Sequence, residues 1–279
     1  MRRSRREERG FGDRERAPGN ARAHKEQTAR PVVYGVLPVL ELLRSESRKV
    51  DKVIIAEGSR ESRISQIIDL ARQKGILIER RSRDTFGRYL PAEVNHQGVL
   101  ALTSAGEYAD ADDILNELGE DALVLILDGI EDPRNLGAIL RTAECAGVKG
   151  VFIPERRAVG LTDTVAKSSA GASEYVKVAK VPNLNRLIDR LKEKGIWVVG
   201  AAGDAVTEYA DWDWKRPTAL IVGSEGRGLH RLVSENCDVL VKIPMYGKIG
   251  SLNVSVAAGV ILFEAQRQRA AIRTEPIRS

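Results

Sequence analysis

Residues Leu123–Gly147 read LVLILDGIEDPRNLGAILRTAECAG. The stretch opens with five apolar residues, Leu123 to Leu127, and breaks at Asp128-Gly129. A continuous apolar run of that length, closed by a turn dipeptide, predicts a strand buried on both faces of a parallel sheet. From Asn135 to Ala146 the apolar spacing changes to that of a helix, and Gly147 marks its stop. Leu136, Ile139, Leu140 and Ala143 form the buried stripe, which leaves Arg141 off it and free to reach out of the core.

The same alternation continues outward from this unit. Towards the C-terminus come strand-like Gly150–Ile153, a helix pattern over Leu184–Lys194 ended by Gly195, and strand-like Ile196–Val199, Ala219–Val222 and Val239–Ile243. A long helix pattern follows from about Asn253 to Ala271. Strands alternating with helices predict an α/β fold with a parallel sheet. Towards the N-terminus, residues 31–105 read as a smaller α/β unit. It has a helix over Val36–Arg44 with Pro38 in its first turn, a strand over Lys52–Ala56, and a helix over Ser62–Lys74 stopped by Gly75. Strands at Ile76–Glu79 and Val99–Thr103 follow, with a loop at Val94–Gly98 before the last. Residues 106–121 are acidic and small and read as a linker with a turn or two of helix. The division expected is a tail at 1–30, a small domain at 31–105, the linker, a catalytic domain at 122–272 and a short tail at 273–279.

The chain has 44 Lys/Arg and 39 Asp/Glu, a net charge of +5. Residues 1–30 hold ten of the former and five of the latter, so the remainder is balanced at 34 of each. The excess charge is a property of the tail. Its composition does not support a packed core, and it reads either as a solvating extension or as an arm for nucleic-acid phosphates. No apolar run approaches the roughly 20 residues that a bilayer span needs, and nothing apolar follows Met1-Arg-Arg-Ser-Arg-Arg6 to make a secretory signal. Cys145 and Cys237 make no disulfide framework and are read as core filling. His24, His96 and His230 are scattered, so no metal site is expected. The expectation is a soluble, cytoplasmic protein.

Three segments lie at expected C-terminal strand ends, the edge at which open α/β sheets bind ligands. These are Asp128–Arg141, Gly223–Gly228 and Ile243–Asn253. Gly223-Ser-Glu-Gly-Arg-Gly228 has neither the dinucleotide-binding order nor a Walker loop. The polar side chains offered there are Asn135, Arg141, Glu225, Ser251 and Asn253. Read singly, each has an ordinary alternative: Asn135 as a first-turn residue or cap, Glu225 as a charge favoured by a helix dipole, Ser251 and Asn253 as cap and first turn of the last helix, Arg141 as a surface cation. With one histidine in this half, nucleophilic triad chemistry has no support.

At these residues the sequence resembles the SpoU (TrmH) family of SPOUT methyltransferases. The matching motifs are Asp132-Pro-Arg-Asn-Leu-Gly-Ala-Ile-Leu-Arg-Thr-Ala143, Ala219-Leu-Ile-Val-Gly-Ser-Glu-Gly-Arg-Gly-Leu229, and Val241–Met245 with Ser251–Ala257, in that order. Tyr34-Gly35 and His96-Gln-Gly98 are similar to the family's small, ribosomal-protein-like RNA-binding domain. The resemblance implies a parallel-sheet SPOUT domain threaded into a trefoil knot, dimerisation through that domain, and S-adenosylmethionine as cofactor. The implied reaction is 2′-O-methylation of a ribose, of guanosine in 23S rRNA by the nearest likeness. A tRNA or resistance-type rRNA ribose methyltransferase, or a non-catalytic ribosome-assembly factor, are the alternative readings. By motif position Gly223, Ile243 and Leu252 would hold the cofactor, and Arg141, Asn135, Glu225, Ser251 and Asn253 would form the catalytic set. Guanidinium stays protonated, so Arg141 is expected to stabilise a developing alkoxide rather than remove its proton.

Overall fold

The structure, a computed structural model, describes residues 31–59 and 62–274; the readings of the 1–30 tail and of most of the C-terminal tail lie outside the described residues. The small lobe runs β1 (Val32–Tyr34), α1 (Val36–Ser45), β2 (Val50–Ala56), α2 (Ser62–Gln73), β3 (Leu77–Arg81), a 3₁₀ turn (Arg83–Arg88) and β4 (Val99–Thr103). Its four strands lie in the order β1-β4-β2-β3, with β4 antiparallel to both neighbours and β2 parallel to β3. Val33, Val53, Ile55, Val99 and Ala101 pack on α1 and α2 on one face of this sheet. Ile54, Leu100 and Leu102 enclose Phe86 on the other.

After α3 (Ala111–Asn116) the large lobe follows as β5 (Leu123–Asp128), α4 (Pro133–Cys145), β6 (Gly150–Pro154), α5 (Asp163–Ser168), a 3₁₀ turn (Ala172–Glu174), β7 (Val178–Val181), α6 (Leu184–Glu193), β8 (Trp197–Ala201), β9 (Thr207–Glu208), β10 (Thr218–Gly223), α7 (Arg231–Glu235), β11 (Val239–Lys242) and α8 (Val254–Thr274). Its seven strands are all parallel, in the order β7-β6-β5-β10-β8-β11-β9. The run Leu123–Leu127 is apolar throughout because both faces of β5 are covered. Leu123, Leu125 and Leu127 pack with α4 and α8, and Val124 and Ile126 pack with α3 and α6.

α4 is held in place by local chemistry. The Asp132 carboxylate accepts from Arg134 N at 2.7 Å, Pro133 occupies the first turn, and Gly147 takes a left-handed φ of 63° just past the end. The segment read as a linker is partly built into the large lobe. Ile114 and Leu115 of α3 are fully buried, and Tyr108 Oη accepts from Leu161 N at 2.8 Å. The reading of Cys145 as core filling is corrected: it is exposed at the end of α4, where the buried stripe has turned away, and Cys237 is only half-buried.

The two lobes meet through polar groups as well as apolar ones. Arg48 Nε donates to Glu174 Oε2 at 2.9 Å, its terminal nitrogen pairs with the other carboxylate oxygen, and both side chains are almost fully buried. Tyr175 Oη donates to Glu41 at 2.7 Å, and Lys167 Nζ to Gln97 Oε1 at 3.0 Å.

Candidate functional site

A crevice of about 560 Å³ opens at the C-terminal ends of β10, β8 and β11. That volume and its mixed lining suit a drug-sized ligand. Its first wall is the turn after β10. Ser224 and Gly228 exchange backbone hydrogen bonds at 3.1 and 2.9 Å, with Gly226 and Gly228 at φ 81° and 67°. A Cβ on Gly223 would overlap the backbone of Gly228, so glycine is what lets the two legs close. This places Glu225 on a tight hairpin rather than in a helix. The second wall is Ile243, Pro244 and Met245 leaving β11, and the third is Ser251, Leu252 and Val254 entering α8. β8 lies between β10 and β11, so Ala201, Ala202 and Gly203 line the crevice too, as does Glu208 at the end of β9. These were not singled out in the sequence. The available signal was positional, since Ile196–Val199 is also a strand whose C-terminal end faces the same edge.

Five of the eight expected site residues, Gly223, Glu225, Ile243, Ser251 and Leu252, line this crevice. Asn135 and Asn253 are tied to it by hydrogen bonds. Asn253 Nδ2 donates to Asn135 Oδ1 at 3.0 Å, and Asn135 Nδ2 donates to Glu225 Oε2 at 3.3 Å. The string joins the first turn of α4, the β10 hairpin and the start of α8, three segments far apart in sequence. Asn253 also caps α8, its Oδ1 accepting from Ser255 N at 2.9 Å. Ser251 lies before the helix and is exposed.

Arg141 is the residue that the structure does not bring to the crevice of its own chain. It lies six residues beyond Asn135 on α4, roughly 9 Å along the helix at 1.5 Å per residue. It is exposed and has no ion-pair or hydrogen-bond partner among the described residues. α8, which packs along α4 through Thr142 and Ala146, leaves apolar side chains exposed. Val256 and Phe263 on α8 are 50% and 53% exposed, and Phe263 shares a depression with Cys145 of α4.

The crevice offers what a nucleoside bearing a cationic side chain requires. Val222, Ile243, Leu252 and Ile261 give an apolar slot for a purine, the hairpin gives backbone donors and acceptors, and Glu208 and Glu225 give negative charge for the cation. Among the described residues no group of three or more His, Cys, Asp or Glu is placed to hold a metal ion, and no helix is long and apolar enough to cross a membrane.

Residues 122–263 match the SpoU rRNA Methylase family, and residues 32–109 match the family described as RNA 2′-O ribose methyltransferase substrate binding. The chain is 47% identical over 240 residues to the Bacillus subtilis (strain 168) relative named as a TrmH family tRNA/rRNA methyltransferase, YacO; the match covers 85% of this chain and 95% of the relative. It is 44% identical over 241 residues to a relative from Staphylococcus haemolyticus (strain JCSC1435) named as a TrmH family tRNA/rRNA methyltransferase, covering 85% and 96%. Among solved structures, the SpoU methyltransferase AviRb from Streptomyces viridochromogenes superposes with TM-score 0.74 at 26% identity, over 88% of this chain and 92% of that one. AviRb in complex with AdoMet gives 0.73 at 26% identity, over 91% and 95%.

Proposed function

The chain belongs to the SpoU rRNA methylase family, an S-adenosylmethionine-dependent RNA methyltransferase family, and we propose that it methylates a guanosine ribose 2′-hydroxyl in large-subunit 23S rRNA. One observation carries the reading: the apolar crevice and the Glu225–Asn135–Asn253 string meet at one edge of the sheet. Bound there, the cofactor supplies an electrophilic methyl group on a sulfonium.

The chain's own residues then have to align a weak nucleophile and steady the charge that grows on it. Gly223, Ile243 and Leu252 would hold the nucleoside end of the cofactor by backbone contacts and an apolar wall, and Glu225 would supply negative charge for its cation. Asn135, fixed between Glu225 and Asn253, orients the ribose, and Ser251 flanks it. The guanidinium that stabilises the developing alkoxide is the partner subunit's Arg141, while the hydroxyl proton leaves to solvent by way of the adjacent RNA phosphate and the cofactor departs as the neutral thioether. Its own chain's Arg141 stands on the exposed α4–α8 face, and a second copy docked on Val256 and Phe263 covers that face and carries the cation across to the facing crevice. The resulting homodimer works in the cytoplasm on ribosomal RNA bound by the small lobe. The trefoil knot belongs to the same reading, and its support is the family match over residues 122–263.

The test is methylation of 23S rRNA and of tRNA, both from cells lacking the protein, with labelled S-adenosylmethionine, followed by mapping of the modified nucleotide. The expected product is 2′-O-methylguanosine in 23S rRNA. Label in tRNA alone overturns the substrate, and failure to bind S-adenosylmethionine in a calorimetric titration overturns the enzyme.

A further inference from the structure

The small lobe holds an aromatic site that the methyl-transfer chemistry does not use. The His96 ring stacks on Phe86, with centroids 4.3 Å apart and planes inclined by 19°. Phe86 is 1% exposed, so it backs one face of the imidazole completely. His96 itself is half-buried, so the residue keeps partial access to solvent. The loop that carries it is held firmly. Gly98 N donates to His96 Nδ1 at 3.1 Å, Val99 N to His96 O at 3.1 Å, and Ala56 N to Gly98 O at 2.8 Å. Gln97 sits at φ 53°, a conformation that non-glycine residues adopt at a cost and that clusters at ligand sites. Its Oε1 accepts from Val36 N and from Lys167 Nζ, each at 3.0 Å.

Positive charge lies close to this ring. Arg83 and Arg88 are exposed on the 3₁₀ turn that carries Phe86, with no ion-pair partner among the described residues. Burial, with the charges of Arg83 and Lys167, holds the imidazole below its ordinary pKa and therefore neutral at physiological pH. With Nδ1 accepting from Gly98, the proton lies on Nε2. The site is thus a flat, uncharged ring with a rigid backing and phosphate-seeking arginines beside it, the pattern by which proteins take an unpaired RNA base. It is also linked to the reaction site. Lys167, which holds the loop, precedes Ser168, whose side chain packs against Gly137 of α4, two residues from Asn135.

We propose that His96 is a stacking platform for an unpaired base of the RNA substrate, with Arg83 and its neighbours on the flanking phosphates. This rests on the RNA reading above but not on which RNA is methylated. A local role for His96 predicts something different, because its Nδ1 does only what an Asn side chain does in an Asx turn, accepting from the N–H two residues on.

Two full-length variants therefore separate the roles. His96→Asn keeps the turn and loses the ring; His96→Phe keeps the ring and loses the turn bond. Binding to in vitro-transcribed 23S rRNA and to a tRNA transcript is measured for each, with thermal unfolding and S-adenosylmethionine titration as controls. The expected result is affinity lower by about tenfold for His96→Asn, the scale of one stacked base, with unchanged unfolding and cofactor binding. His96→Phe should stay within about threefold of wild type. Wild-type affinity in His96→Asn, or an equal loss in a folded His96→Phe, overturns the platform. If wild type prefers tRNA, the 23S assignment fails while the contrast between variants still decides the platform.

Discussion

At the lobe junction, Arg48 and Glu174 are buried, doubly hydrogen-bonded and matched in charge. At the crevice, Asn135, Glu225 and Asn253 are joined by single hydrogen bonds of 3.0–3.3 Å, and Glu225 lines the open slot. Both places join segments distant in sequence through polar side chains. The first satisfies every charge it buries, and that is how a fixed geometry is made. The second leaves capacity unspent, because a cofactor and a ribose have to complete it. Arg141 carries the contrast furthest, as a cation with no partner among the described residues.

The sharpest way to break the comparison is Glu174→Ala. It leaves the Arg48 cation buried without a counter-charge and should lower stability by about 3–5 kcal/mol, read in urea unfolding. A loss under 1 kcal/mol would make the junction no more exacting than an exposed pair. Next comes Arg141→Ala, expected to leave unfolding and cofactor binding unchanged while lowering the methyl-transfer rate by about 10²–10³-fold, the scale of one oxyanion donor. Full activity would return Arg141 to the ordinary surface. Asn253→Ala stands between the two classes. It removes the cap of α8, about 1 kcal/mol, and releases Asn135, so rate should fall well beyond what stability accounts for. If both change little, the string has no part in orienting substrate.

The smallest effect belongs to Tyr175 at the junction. Burial, reinforced by its hydrogen bond to Glu41, pushes the phenol up to about 12, against about 10 for an unfolded tyrosine. The folded chain therefore holds this proton more tightly than the unfolded one. Its contribution is fully present below about pH 10 and is lost as pH rises through about 12. Tyr175→Phe should flatten the alkaline limb of the stability profile between those values, and an unchanged limb would show that the pair adds nothing.

Much of the large lobe was legible because its signals are local. The unbroken run at Leu123–Leu127, the stripe on α4 and the glycine stops each report burial within a few residues. The glycine hairpin was legible as a close approach of backbone, and Gly223 against Gly228 gives the reason. Residues 154–183 gave no reading. β7 is only four residues long, α5 only six, and their apolar side chains are too few to set a period. Ala201–Gly203 and Glu208 went unnoticed for another reason: their place in the crevice follows from strand order.

Sequence by itself determined the alternating elements, the parallel sheet, the family motifs and seven of the residues now found at or tied to the crevice, because periodicity, turn chemistry and motif order are written along the chain. Tertiary structure alone decided that β8 lies between β10 and β11, that Glu225, Asn135 and Asn253 form one hydrogen-bonded string, and that Arg141 stands apart from its own crevice. Those outcomes depend on which segments far apart in sequence become neighbours. Burial of both faces of a seven-stranded sheet settles that, and no local pattern encodes it.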